Sequence, residues 1–208
     1  MVETKERIQA RAMDLFMQYG IRSVSMDDIA TQLGISKKTI YQYFADKNDL
    51  VMAVVDEDIK DLQDKCMDCG SSAVNAVDEI FLTMTMIQEF LRNMNPMVLY
   101  DLQKFHFEAY KKWVEHKNNF LLSSIDRNIR WGIEEGLYRP DLNITVLAKF
   151  RLESMLIPFN IEVYPPTKYN LVEVTLELLE NFLFGLVTEK GYQLIVKYKQ
   201  ERPIHTKK

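Results

Sequence analysis

The sequence predicts an all-α protein, with an N-terminal three-helix unit and a larger helical C-terminal domain. Apolar residues recur at helical spacing over most of the chain. Seven glycines and six prolines in 208 residues are few for the many turns of a β-sandwich or barrel. The good helix formers Leu, Met, Glu, Lys and Gln are plentiful.

The elements follow in order. The first helix is expected from about Glu3 to Tyr19, where Ile8, Ala12, Leu15 and Phe16 form one apolar stripe and Gly20 ends the run. Ser25 is the next N-cap, with Asp28 as its capping-box partner, and the second helix buries Ile29, Ala30 and Leu33 before Gly34 breaks it. Ser36 caps a short third helix, from Lys37 to about Phe44. Only three residues, one of them glycine, separate the second and third helices, the connection length of a helix-turn-helix. Asp46 caps a fourth helix reaching the mid-60s, and "CMDCGSS" (66–72) reads as a break. Helices are then expected at about 73–94, from Pro96, at about 107–135 ending at Gly136, at 144–160, at 168–187, and after Gly191 to about Lys199. "YRPDLN" is a loop, Pro165 and Pro166 separate two helices, and the tail "RPIHTKK" is expected to be unstructured. The organisation is thus residues 1–46 as the helix-turn-helix domain and 47–208 as a larger helical domain, for which the family resemblance given below implies a ligand-binding and dimerisation role.

Net charge is −4, and the first 50 residues hold seven basic and seven acidic side chains, so the excess lies in the remainder. Nucleic-acid binding must come from a local patch. Apolar runs fall well short of the roughly 20 residues that span a bilayer. The N-terminus is too charged for a signal peptide, and two cysteines without an export signal point to the reducing cytoplasm.

That patch is "GISKKTIYQYFADKNDL" (34–50). On a wheel of about 100° per residue, Ile40 and Phe44 share one side and Gln42 lies opposite, between Lys38 and Thr39. Tyr41 and Tyr43 take the rims. Lys donates to guanine O6 and N7, and Gln pairs with adenine N6 and N7. Hydroxyls and ammonium groups reach phosphate oxygens, and the N-termini of the second and third helices attract phosphate.

Over residues 7–54 the sequence resembles the tetracycline-repressor (TetR) family of bacterial regulators, through "A..LF...G", a Ser opening the second helix, "IA..LG.S" and "TIYQYFADK.DL". The resemblance implies an all-α homodimer that binds double-stranded operator DNA and, in most members, a small effector. By position, Lys37, Lys38, Thr39 and Gln42, with the cap Ser36, fall among the base- and phosphate-contacting residues, and Ser25, Tyr43 and Lys47 on the DNA backbone. Tyr41 is expected to pack beside Ile40. The family often has glycine where this chain has Lys38.

The resemblance also implies a dimer through the last two long helices, with Phe150, Leu171, Val174, Leu178, Phe182 and Leu186 as interface residues. Gly185 beside them permits close helix approach, or is an ordinary packing or helix-end glycine. Phe81, Met84, Phe90, Tyr110, Trp113, Phe120, Trp131 and Met155 are candidate linings of an apolar effector site, with ordinary core packing as the alternative. A cationic drug and an acyl chain both suit such a lining. Cys66 and Cys69 have CxxC spacing without a second pair, and His106, His116 and His205 show no zinc spacing to them. No nucleophile–base pair, phosphate-binding glycine loop or metal cluster is present, so no cofactor and no enzymatic activity are expected. The sequence reads as a dimeric repressor released from a palindromic operator by a small apolar or amphipathic effector, with no membrane association. A regulator that activates, or that answers to a protein partner or thiol oxidation, is the alternative, and a helical enzyme a remote one.

Overall fold

A computed structural model describes residues 2–202; the rest of the tail, with His205, lies outside them. Among the described residues the chain is helical: α1 (Val2–Tyr19), α2 (Met26–Leu33), α3 (Lys37–Tyr41), α4 (Lys47–Ser72), α5 (Ala76–Leu91), α6 (Met97–Phe105), α7 (Phe107–His116), a π turn (Lys117–Leu121), α8 (Leu122–Glu134), α9 (Ile144–Ser154), a 3₁₀ turn (Ile157–Phe159), α10 (Leu171–Leu186) and α11 (Glu189–Glu201). A single isolated β-bridge pairs Tyr138 with Val187.

Several elements differ from the sequence reading: the helix expected at about 107–135 is interrupted by the π turn Lys117–Leu121, and the one expected at about 144–160 ends at Ser154. α3 stops at Tyr41, three residues early, because the chain tightens into i→i+3 bonds: Gln42 N–H to Thr39 O at 3.3 Å and Tyr43 N–H to Ile40 O at 2.9 Å. α4 runs straight through the expected break at 66–72. Gly70 lies inside this helix, with Arg127 Nη2 2.8 Å from where a Cβ would stand.

By packing, the chain divides into two compact units, one holding the chain up to Leu62 plus Asn93–Glu115, the other Gln63–Arg92 plus the chain from His116 on. The 46/47 division marks the end of the helix-turn-helix motif, whereas the first unit's core continues past it. Ile8, Ala12 and Phe16 of α1, Ile29 of α2, Ile40 of α3 and Phe44 pack with Leu50 and Val51 of α4, Leu102 of α6 and Ala109 of α7. α6 is fastened to the motif by Asp101, a buried carboxylate that accepts the Arg22 N–H at 2.8 Å.

In the second unit Ala76, Val77 and Phe81 of α5, Ile129 of α8, Tyr138, Leu183 of α10 and Ile195 of α11 share one core. Gly132 is required at its centre: the Tyr138 ring lies where a Cβ would stand. The Tyr138 hydroxyl reaches the Ala76 carbonyl and Asn128 Oδ1, and Asn128 Nδ2 donates to Glu79 Oε2 at 2.8 Å, so the buried polar groups here satisfy one another.

Candidate nucleic-acid interface

The motif begins with a closed capping box. Ser25 stands in extended backbone (φ −96°, ψ 165°), and its Oγ accepts the Asp28 N–H at 3.1 Å. Asp28 Oδ2 accepts both the Ser25 N–H, at 2.8 Å, and the Ser25 hydroxyl, at 2.7 Å. Those Ser25 hydrogen bonds hold the Asp28 carboxyl below its ordinary range. The N-terminus of α2 therefore already carries its own anion, with Asp27 beside it. This differs from the expectation of an end open to phosphate. Gly34 caps the C-terminus of α2 in the left-handed region (φ 66°), which turns the chain within three residues into α3.

The start of α3 is less encumbered. Ser36 Oγ accepts the Thr39 N–H at 3.1 Å, and the two hydroxyls lie 2.9 Å apart. The first turn of α3 has no acidic residue of its own. Lys37 Nζ meets Asp27 Oδ2 at 2.6 Å, and that bond raises the lysine above its ordinary pKa. Both side chains are exposed, so the pair is worth little and a phosphate can exchange for the carboxylate.

Around this helix the faces separate cleanly. Ile40 and Phe44 are buried, whereas Lys38 and Gln42 are exposed. Tyr41 does not pack beside Ile40 as expected; it is 46% exposed. Tyr43 takes the core contact instead, since the 3₁₀ turn after α3 sets residues three apart over one another and so places Tyr43 above Ile40. Lys47, expected to touch the DNA backbone, donates from Nζ to the Ile21 carbonyl at 2.6 Å. Burial lowers its pKa, opposed by Asp101 and Asp28. Two of its three donors remain.

Residues 8–54, which span this motif, match the family model "Bacterial regulatory proteins, tetR family". Those residues form a TetR-family DNA-binding domain. A Bacillus subtilis (strain 168) relative, the uncharacterized HTH-type transcriptional regulator YvaF, is 30% identical over 106 residues, 50% of this chain and 55% of that one. The chain thus spans about half the length of that curated relative. The TetR fold extends further. A putative transcriptional regulator from Saccharomonospora viridis, solved in complex with choline, superposes with a TM-score of 0.75 at 19% identity, covering 91% of this chain and 100% of that one. FadR from Bacillus subtilis, solved in complex with stearoyl-CoA, superposes with a TM-score of 0.65 at 19% identity, covering 85% and 96%. Regulators, not enzymes, populate these matches.

The other candidate residues divide between the two units. Tyr110 and Trp113, stacked with ring centroids 6.1 Å apart, pack against the first unit's core. Phe81, Met84, Phe90, Phe120, Trp131 and Met155 belong to the second. Of these, Phe81 sits edge-on to Tyr198 at 5.5 Å, and Met84 is buried with Leu176 and Leu179. Phe120 stacks on His116 at 5.2 Å; Phe90, Trp131 and Met155 are half-buried.

Of the interface candidates, Leu186 is withdrawn. It is buried within its own chain, in the core shared with α5, α8, Tyr138 and α11. Leu171, Val174, Leu178 and Phe182 are half-buried, and Phe150 is 58% exposed, with its ring 6.3 Å from that of Phe182. Gly185 has open space around it, so no side chain of its own chain requires a glycine there.

Two buried groups escaped the sequence reading. His116 Nε2 is buried without a hydrogen-bond partner, and Arg151 is buried on α9. The available signal was the register of Arg151, which follows Ala148 by three residues and precedes Met155 by four on an apolar helix face. No group of three His, Cys, Asp or Glu among the described residues is arranged to hold a metal ion, and no described helix is long and apolar enough to cross a membrane.

Proposed function

We propose that this chain is a dimeric, cytoplasmic transcriptional repressor that leaves a palindromic operator when a small molecule binds its second unit. The observation that carries the reading is the outward pairing of Lys38 and Gln42 over the buried Ile40 and Phe44. A dimer presents two such helices to groove positions about one helical turn, roughly 34–36 Å, apart. The exposed Phe150 and Val146 on α9, beside Phe182 and the open Gly185 on α10, support a second copy on that face. The choline and stearoyl-CoA complexes of the two structural relatives support a ligand-responsive second unit. An effector acts by its differential affinity for the DNA-competent and DNA-incompetent arrangements.

Fluorescence anisotropy on DNA from upstream of the gene, against a scrambled duplex, tests the interface. Gln42→Ala and Lys38→Ala are each expected to cost about 1–3 kcal/mol on operator and little on scrambled DNA. Ser25, Ser36, Lys37, Thr39, Tyr43 and Lys47 contribute to phosphate contact, so Lys47→Ala should weaken both duplexes alike. Equal losses on both duplexes for Gln42→Ala would remove it from base reading.

Thiol oxidation is disfavoured as the signal. Burial pushes the Cys66 thiol up to about 11, with Cys69 and Glu79 adding to the effect, and burial also raises Cys69. Both are therefore thiols, not thiolates, at neutral pH, on an uninterrupted helix. The Cys66→Ser, Cys69→Ser double variant is expected to bind and release operator as the wild type does. Peroxide release of the wild type alone would show the opposite.

A further inference from the structure

Buried charges in the second unit are paired, with one exception among the described residues. Asp78 meets Arg202, Glu79 meets Arg127 and Asn128, and Lys117 meets Glu153 at 2.9 Å. Arg151 is 6% exposed, yet no carboxylate is paired with it. Its single side-chain contact runs from Nη1 to Ser154 Oγ at 3.5 Å, the outer limit of a hydrogen bond. That hydroxyl already donates to the Arg151 carbonyl at 2.9 Å. A guanidinium carries five N–H donors in a planar fork, so most of them find no acceptor within the chain, and the unbonded nitrogens keep the residue's small accessible surface.

Burial lowers the Arg151 pKa to about 10, which leaves the group charged at neutral pH. It projects from the face of α9 that also buries Ala148 and Leu152. A charge held there without a partner is costly to the folded state. An oxyanion from outside the chain would complete it, because the guanidinium fork matches a carboxylate or phosphate two bonds at a time.

We propose that Arg151 is the anion-recognising group of the effector site, and that the effector is an amphipathic molecule with an oxyanion head, carboxylate or phosphate. This rests on the effector-responsive reading above and narrows it. A quaternary ammonium such as the choline of the Saccharomonospora viridis complex is the wrong sign for this site. An acyl compound with an anionic head has the right one.

The test uses the full chain, without DNA for the ligand titrations and on operator DNA, by anisotropy, for release. Decanoate, decyl phosphate, inorganic phosphate, decanol and decyltrimethylammonium are titrated by calorimetry and thermal shift into wild type, Arg151→Met and Arg151→Lys. Decanoate or decyl phosphate, whichever head the site takes, is expected to raise the wild-type Tm, while decanol and the cation leave it unchanged. Inorganic phosphate tests whether the head binds without its chain. Arg151→Met should weaken anion binding at least about tenfold, as loss of charge-assisted bonds implies, with Arg151→Lys between the two. Unliganded Arg151→Met should be at least as stable as wild type, since an apolar side chain replaces an unpaired buried charge. Equal binding of decanol and decanoate, or of the cation, would overturn the assignment. A lower Tm in Arg151→Met with unchanged ligand preference would also overturn it, marking a structural arginine. Anion binding at Arg151 without operator release would leave the site standing and remove the effector role.

Discussion

Phe44→Ala is expected to abolish operator binding and to destabilise the first unit by about 3–5 kcal/mol, the range for removing a buried aromatic side chain. Phe44 is 1% exposed, packed with α1 and α4, and lies under Lys5 with Nζ 5.5 Å from the ring centroid. α3 has five residues, far below the length at which a helix persists alone. Its position is therefore owed to Ile40 and Phe44 beneath it. Urea denaturation and operator anisotropy measure the two effects. Phe44→Leu, which keeps most of the volume, should retain part of both. Wild-type operator affinity in Phe44→Ala would show that α3 is held by something other than this core.

Phe150→Glu is expected to convert the proposed dimer into monomers and thereby to remove tight operator binding. The side chain is 58% exposed in a single chain, so a carboxylate there leaves the fold of each copy undisturbed. In a two-fold interface the change occurs twice. Each unpaired buried carboxylate costs about 3–5 kcal/mol, or a hundredfold or more in the dimer equilibrium. Sedimentation velocity should report a monomer with wild-type circular dichroism. Phe182→Glu, whose ring is half-buried against the second unit's core, should also lower the Tm. A variant that remains dimeric would move the interface off α9 and α10, and a monomeric wild type would remove the dimer altogether.

The motif was legible because its signals are local. Ser25 with Asp28, Gly34, Ser36 and Asp46 each fix a helix end through hydrogen bonds spanning at most five residues, and the structure shows each cap made. The exchange of roles between Tyr41 and Tyr43 was not legible, since it follows from a tightened last turn. In the second unit, long-range neighbours set the outcome. Gly70 reads as a helix breaker, yet it lies within an uninterrupted α4 beside Arg127, 57 positions on. Leu186 reads as part of an interface until it is seen buried in the second unit's core.

By itself the sequence determined the all-helical class, the helix-turn-helix and the face that α3 presents, because helical periodicity and capping depend on neighbours a few residues apart. Only the tertiary structure decided where α4 ends, which apolar residues of α10 stay uncovered, how the aromatic residues divide between the two units, and that Arg151 is a buried cation without a carboxylate. These depend on which distant side chain fills or vacates a given space. Spacing along the chain identifies a buried face, but not what packs against it.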